Sequence, residues 1–152
     1  MKYEELLQTA ESLLNDQPTE ISLLANASAF LNEVLSEMNW IGFYIYDGIV
    51  LNVGPFQGRA ACATIPLGKG VCGESALQNK TMYVDDVLNY NNHIACDANS
   101  RSEVVVPMYV NNTLYGVLDI DSPIFKRFDQ ALIAFLEDFT QILIKQLTFM
   151  TV

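Results

Sequence analysis

Ile41-Gly42-Phe43-Tyr44-Ile45-Tyr46-Asp47-Gly48-Ile49-Val50-Leu51-Asn52-Val53 is the stretch that decides the fold. Two apolar runs flank Asp47-Gly48, and the first alternates residue by residue. Alternation gives a strand two faces, and Asp-Gly between such runs predicts a hairpin with a type I′ turn. A second pair of runs, 103–110 and 113–120, flanks Asn111-Asn112 and ends at Asp121-Ser122-Pro123. Residues 62–65 and 81–84 read as two further short strands.

Outside these runs the period is helical. Leu6, Leu7, Ala10, Leu13 and Leu14 recur at helical spacing, and so, after Pro18, do Ile21, Leu24, Ala27, Phe30, Leu31, Val34, Leu35 and Met38. Phe128, Leu132, Phe135, Leu136, Phe139, Ile142 and Leu143 mark a long C-terminal helix. Gly68-Lys69-Gly70-Val71-Cys72-Gly73-Glu74 leads into a short helix ending near Gln78. Hairpins dominate, so the expectation is an α+β fold: a mainly antiparallel sheet with helices grouped on a face, in one domain over residues 1–152. Residues 85–100 hold few periodic apolar positions, and a loop of that length in a compact domain is usually functional.

The chain has 152 residues and a formal net charge of −10. That balance lacks the Lys/Arg stripe that nucleic acid requires, and it opposes an anionic membrane surface. Met1-Lys2-Tyr3-Glu4-Glu5 is acidic, with no basic and then apolar leader pattern. No apolar run approaches the roughly 18 residues of a membrane span. The expected compartment is the cytoplasm, where cysteines serve redox, catalytic or metal chemistry more often than structural disulfides.

The three cysteines are Cys62, Cys72 and Cys96. Any one alone reads first as a small buried hydrophobe, but for all three together that reading weakens, because each neighbours Gly, Asp or a loop rather than an apolar stripe. Cys72 opens a helix after a Gly-rich turn, where the helix dipole lowers a thiol pKa, so local sequence picks it as the reactive one. Cys62, Cys72, His93 and Cys96 make a formal Cys₃His set, yet only His93-x-x-Cys96 is a close pair, short of the two close pairs of structural zinc sites. No bound metal or cofactor is expected.

Asp119 interrupts an apolar strand, and period-two spacing puts it on the same face as Asp121. If runs 103–110 and 113–120 pair, Glu103 joins them. Like charges in one site raise at least one pKa and keep an acid protonated near neutral pH. Trp40, the sole tryptophan, shares a strand face with Tyr44 and reads as a core anchor or as a ligand wall.

Gly54-Pro55-Phe56-Gln57-Gly58, Ala61-Cys62, Gly68-x-Gly70-Val71-Cys72-Gly73, His93-Ile94-Ala95-Cys96-Asp97, Ser102-Glu103-Val104-Val105-Val106-Pro107 and Gly116-Val117-Leu118-Asp119-Ile120-Asp121-Ser122 together resemble the free methionine-R-sulfoxide reductases, which are single GAF domains. The resemblance implies a GAF sheet and, as substrate, the R-sulfoxide of free L-methionine. It implies Cys96 as nucleophile, Cys62 as main resolving thiol, and Cys72 as a third thiol open to disulfide formation. Glu103, Asp119 and Asp121 match the carboxylates around the sulfoxide oxygen, and Trp40 and Tyr44 the aromatic wall. It further implies a sulfenic acid and disulfide cycle recycled by thioredoxin with NADPH-derived electrons. A homodimer through the amphipathic helical ends is also expected. The alternatives are a GAF sensor of cyclic nucleotides or bilins, and a structural zinc protein.

Overall fold

The computed structural model describes residues 2–94 and 96–150; Met1, Ala95, Thr151 and Val152, which the expected domain and the His93–Asp97 motif include, lie outside the described residues. Helix α1 spans Tyr3–Leu13 and α2 spans Glu20–Val34. Thr19 sets the start of α2, its hydroxyl accepting from the Ser22 N–H at 3.0 Å. Strands β1 (Trp40–Tyr46) and β2 (Val50–Gly58) form the first hairpin.

That hairpin's turn is not type I′, which needs positive φ at both central residues. Only Gly48 has it, at 101°. The Asp47 carboxylate accepts instead from the Ile49 and Val50 N–H groups at 2.8 and 2.9 Å, an Asx turn that keeps Asp47 in an ordinary backbone region. The type I′ signature appears in the second hairpin, where Asn111 and Asn112 have φ of 53° and 63°.

The remaining elements are β3 (Thr64–Pro66), α3 (Gly70–Gln78), β4 (Met82–Val84), a 3₁₀ turn at Val87–Asn89, β5 (Ser102–Val110), β6 (Thr113–Ser122) and α4 (Gln130–Met150). Cys62 falls just before β3 rather than within it, because its carbonyl accepts from the Tyr44 hydroxyl at 3.0 Å instead of from a strand neighbour. Asp129 caps α4 by accepting from the Leu132 N–H at 2.8 Å.

The strands form one six-stranded antiparallel sheet in the order β3-β2-β1-β6-β5-β4. Ile41, Phe43, Val104, Val106, Leu118 and Ile120 point to one face and join the buried residues of α1, α2 and α4 in the main core. Trp40, Tyr44, Val105 and Val117 point to the other and pack with Val71, Cys72 and Ala76 of α3. The helices are therefore not grouped on a single face. Helix α3 sits opposite the others because the alternation of β1, β5 and β6 leaves apolar side chains on both faces, and each must be covered. No helix among the described residues is long and apolar enough to cross a membrane.

Candidate active site

The acidic residues meet through strand register. Glu103 of β5 lies opposite Asp121 of β6, and Val105 lies opposite Asp119. On the other side of β6, Trp40 pairs with Asp121 and Gly42 with Asp119. Residues opposite each other share a face, so Glu103, Asp119, Asp121, Trp40 and Tyr44 all project to the α3 side. Gly42 is required there: a Cβ on it would stand 2.2 Å from Cβ of Phe56. Its absence lets Phe56 stack on Trp40 at 5.0 Å between ring centroids.

Glu103 and Asp119 are only 7% and 6% exposed, an unusual depth for carboxylates. Burial, and then the neighbouring Asp119 and Asp121, push the Glu103 pKa well above the carboxylate range. Burial followed by Asp119 does the same for Asp121, against the lowering effect of Glu103 and Ser100 beside it. Asp119 is raised by burial but held back by hydrogen bonds from Glu103 and Cys72. Of the two, Glu103 is raised the more strongly. Asp119 and Asp121 each retain one buried carboxylate oxygen without a protein partner.

Cys72 lies in the first turn of α3, but the expected lowering of its pKa does not occur. It is a free, buried thiol, and burial, then Asp119, Glu103 and Asp121, raise its pKa well above the ordinary value. Three nearby carboxyls and the loss of water outweigh a dipole of about half a charge. The thiol acts as a donor toward Asp119.

Cys62 and Cys96 are joined in a disulfide, their Cα atoms 5.3 Å apart across 34 residues of sequence. This bond removes two sulfurs from the formal Cys₃His set. The group able to hold a metal among the described residues is a different one, Cys72, Glu103 and Asp119, whose ligand atoms lie within 4.8 Å of one another.

A cavity of about 30 Å³ joins these parts, lined by Cys72, Cys96, Glu103, Asp119 and Asp121 together with His93, Asp97, Ser100 and the start of α3 at Gly70 and Val71. His93 is kept toward its neutral form by burial, against the pull of Asp119, and its Nδ1 is buried without a partner. Trp40 and Tyr44 do not line this cavity. Trp40 stacks between Phe56 and Tyr44 and donates from Nε1 to the Arg59 carbonyl at 3.1 Å. Tyr44 is held in its phenol form by burial and by Asp119, and its hydroxyl reaches the Cys62 carbonyl.

Two polar side chains went unnoticed in the sequence. The Asn39 amide donates to Asp97 Oδ2 at 3.0 Å and to Ser100 Oγ at 3.1 Å, tying the long loop to the start of β1. Ser100 and Asp97 line the cavity beside Asp121. A polar residue between Met38 and Trp40 was the available signal, but its partner lies 58 positions away.

Comparison with known proteins gives a consistent picture. A family model described as GAF domain matches residues 19–143. A protein of Escherichia coli named free methionine-R-sulfoxide reductase is 45% identical over 126 residues, covering 83% of this chain and 76% of that one. The solved structure of the Staphylococcus aureus fRMsr in complex with substrate superposes with a TM-score of 0.91 at 46% identity, covering 96% of this chain and 95% of that one. That of the free methionine-R-sulfoxide reductase from Neisseria meningitidis in complex with its substrate gives 0.92 at 38% identity, covering 99% and 92%.

Proposed function

Since this chain belongs to the GAF-domain family of free methionine-R-sulfoxide reductases, we propose that it reduces the R-sulfoxide of free L-methionine through Cys96, with Cys62 as the resolving thiol. One observation carries the reading. The Cys96 segment and a proton-bearing acid cluster line the same cavity, and Cys96 is already bonded to Cys62.

The Cys96 sulfur attacks the sulfoxide sulfur while Glu103, the most strongly raised partner in its pair with Asp119, gives a proton to the departing oxygen. General acid help of this kind is worth roughly 10²–10⁴-fold. The oxygen leaves as water with the proton from Glu103 and that of the thiol, and a water then displaces methionine from the Cys96–sulfonium bond, returns the proton to Glu103 and leaves Cys96 as a sulfenic acid. The Cys62 thiol displaces its hydroxyl as water and forms the disulfide. An external dithiol, thioredoxin in this reading, returns both sulfurs to thiols by exchange. Cys72 keeps its proton throughout and holds Asp119 in place.

The lining also suits a free amino acid. Its side chains include no Lys or Arg for an α-carboxylate. The N–H groups of Gly70, Val71 and Cys72 open α3 without a side-chain cap, and a helix start of this kind binds carboxylates. The acids opposite suit an α-ammonium. At about 30 Å³ the cavity is far below the roughly 300 Å³ of ordinary small-molecule sites, which supports the disulfide state as a closed form left after product release. In this reading the buried, stacked Trp40–Tyr44 pair, on the same sheet face as the acids, is the aromatic wall on the substrate side. Exposed Leu13 on α1 and Phe149 on α4 support the helical ends as the face for a second copy.

The deciding experiment is turnover of enantiopure R- and S-sulfoxides of free methionine with thioredoxin, its reductase and NADPH. Activity on the free R form alone is expected. Equal activity on the S form, or on peptide-bound sulfoxide, would overturn the reading.

A further inference from the structure

The loop that carries Cys96 is pinned at both feet by side-chain hydrogen bonds. At its C-terminal foot, Asn39 holds Asp97 and Ser100. At its N-terminal foot the anchor is Glu74, in the second turn of α3. The Tyr90 hydroxyl donates to Glu74 Oε2 and the Asn92 amide to Glu74 Oε1. The same Asn92 amide donates to the Gly68 carbonyl at 2.9 Å. Between the feet, the described backbone hydrogen bonds stay within the loop, His93 N–H to the Tyr90 carbonyl at 3.1 Å and Cys96 N–H to the Ile94 carbonyl at 3.0 Å, the buried His93 Nδ1 has no partner, and the disulfide ties the Cys96 side chain to the fold.

We propose that Glu74 is a positioning residue for the Cys62–Cys96 couple: by holding Tyr90 and Asn92 against α3 it keeps Cys96 within reach of Cys62. Glu74 does not line the cavity and touches no reacting atom. Its two oxygens serve two loop residues at once, so no neutral side chain replaces it fully; an amide keeps one acceptor oxygen, and alanine keeps none. Releasing the foot lets the Cys96 segment sample more positions. The effective concentration of one sulfur at the other then falls. The inference rests on Cys62 and Cys96 being the redox couple, but its test needs no sulfoxide.

The test is equilibration of the whole protein with glutathione, in which the dithiol protein and one glutathione disulfide give the protein disulfide and two glutathione thiols. Glu74→Ala should lower the equilibrium constant for disulfide formation about 10-fold, which moves the couple about 30 mV to less negative potential. Glu74→Gln should fall between Glu74→Ala and the wild type. Tyr90→Phe should shift the couple in the same direction, and the Glu74→Ala/Tyr90→Phe double variant should shift it no further than Glu74→Ala alone. Tyr109→Phe removes a hydrogen bond to the Ala76 carbonyl of α3, away from the loop, and should leave the couple unchanged. Values for Glu74→Ala and Tyr90→Phe within twofold of wild type would overturn the proposal, as would additive shifts in the double variant. If Glu74→Ala does not fold, Tyr90→Phe decides alone. A wild-type protein that forms no Cys62–Cys96 bond in any glutathione buffer would refute the couple itself, a result distinct from a couple that ignores Glu74.

Discussion

The two faces of the central sheet come from the same strands and have opposite chemistry. Along β6, Leu118 and Ile120 enter the main core with α2 and α4, while Asp119 and Asp121 turn to the α3 side. Along β5, Val104 and Val106 do the first and Glu103 the second. Alternation therefore lets one strand pair supply stability on one side and a reactive acid cluster on the other. A slip of one residue would exchange them, placing three carboxylates in the apolar core. The large core on the helical face bears the cost of the acid face.

If that division is right, substitutions on the two faces separate cleanly. The largest effect is Cys96→Ser, which should bring sulfoxide reduction down to the buffer rate in a coupled assay, with the fold intact by circular dichroism. Next comes Glu103→Gln, which should lower kcat/KM roughly 10²–10⁴-fold, about 3–5 kcal/mol in barrier, because the proton donor is lost. Its unfolding free energy should not fall, since a buried acid is replaced by a neutral isostere. Leu118→Ala, on the opposite face of the adjacent strand, should do the reverse. It should cost about 2–5 kcal/mol in urea unfolding while leaving kcat per folded molecule unchanged. A Leu118→Ala enzyme with impaired chemistry at full occupancy of the fold would break the division.

The smallest effect is on pH. The Glu103 and Asp121 pKa values are raised above their unfolded values, so the folded chain binds more protons over the window that starts near the ordinary carboxylate pKa of about 4. Their contribution is fully present below that pH and is lost as pH rises through the raised values. The slope cannot exceed about 1.4 kcal/mol per pH unit per proton. Thermal unfolding between pH 5 and 8 should show stability falling with pH for the wild type and a flatter profile for Glu103→Gln. Parallel profiles would show that the acids are not proton-bound in the fold.

The strands and helices were legible because their patterns are local. Period two over β1, β5 and β6 and period 3.6 over α1, α2 and α4 need no partner to be read. The approach of Glu103 to the Asp119–Asp121 end was legible from pairing the two runs, but not its register: a bulge between Met108 and Tyr109 shifts the pairing by one from that at Val110 and Thr113 and so brings Glu103 opposite Asp121. Three further things were not. The type of turn at Asp47-Gly48 depended on a side chain satisfying two backbone donors. The state of Cys72 depended on β5 and β6, which lie beneath α3 in space but some thirty to fifty residues along the chain; a helix start read alone gave the opposite sign. The anchors Asn39 and Glu74 act across loops, with partners 16 to 61 positions away, and no periodicity reports such contacts.

The central claim is that Cys96 does the chemistry beside the acid face and Cys62 resolves it. The most direct measurement mixes the fully reduced protein with one equivalent of free methionine-R-sulfoxide and no reductant, then maps the sulfurs by mass spectrometry while counting methionine. The account predicts one methionine and one Cys62–Cys96 disulfide per chain, and in Cys62→Ser one methionine with Cys96 trapped as sulfenic acid. Methionine formed without oxidation of Cys96, or formed equally by Cys96→Ser, would contradict it.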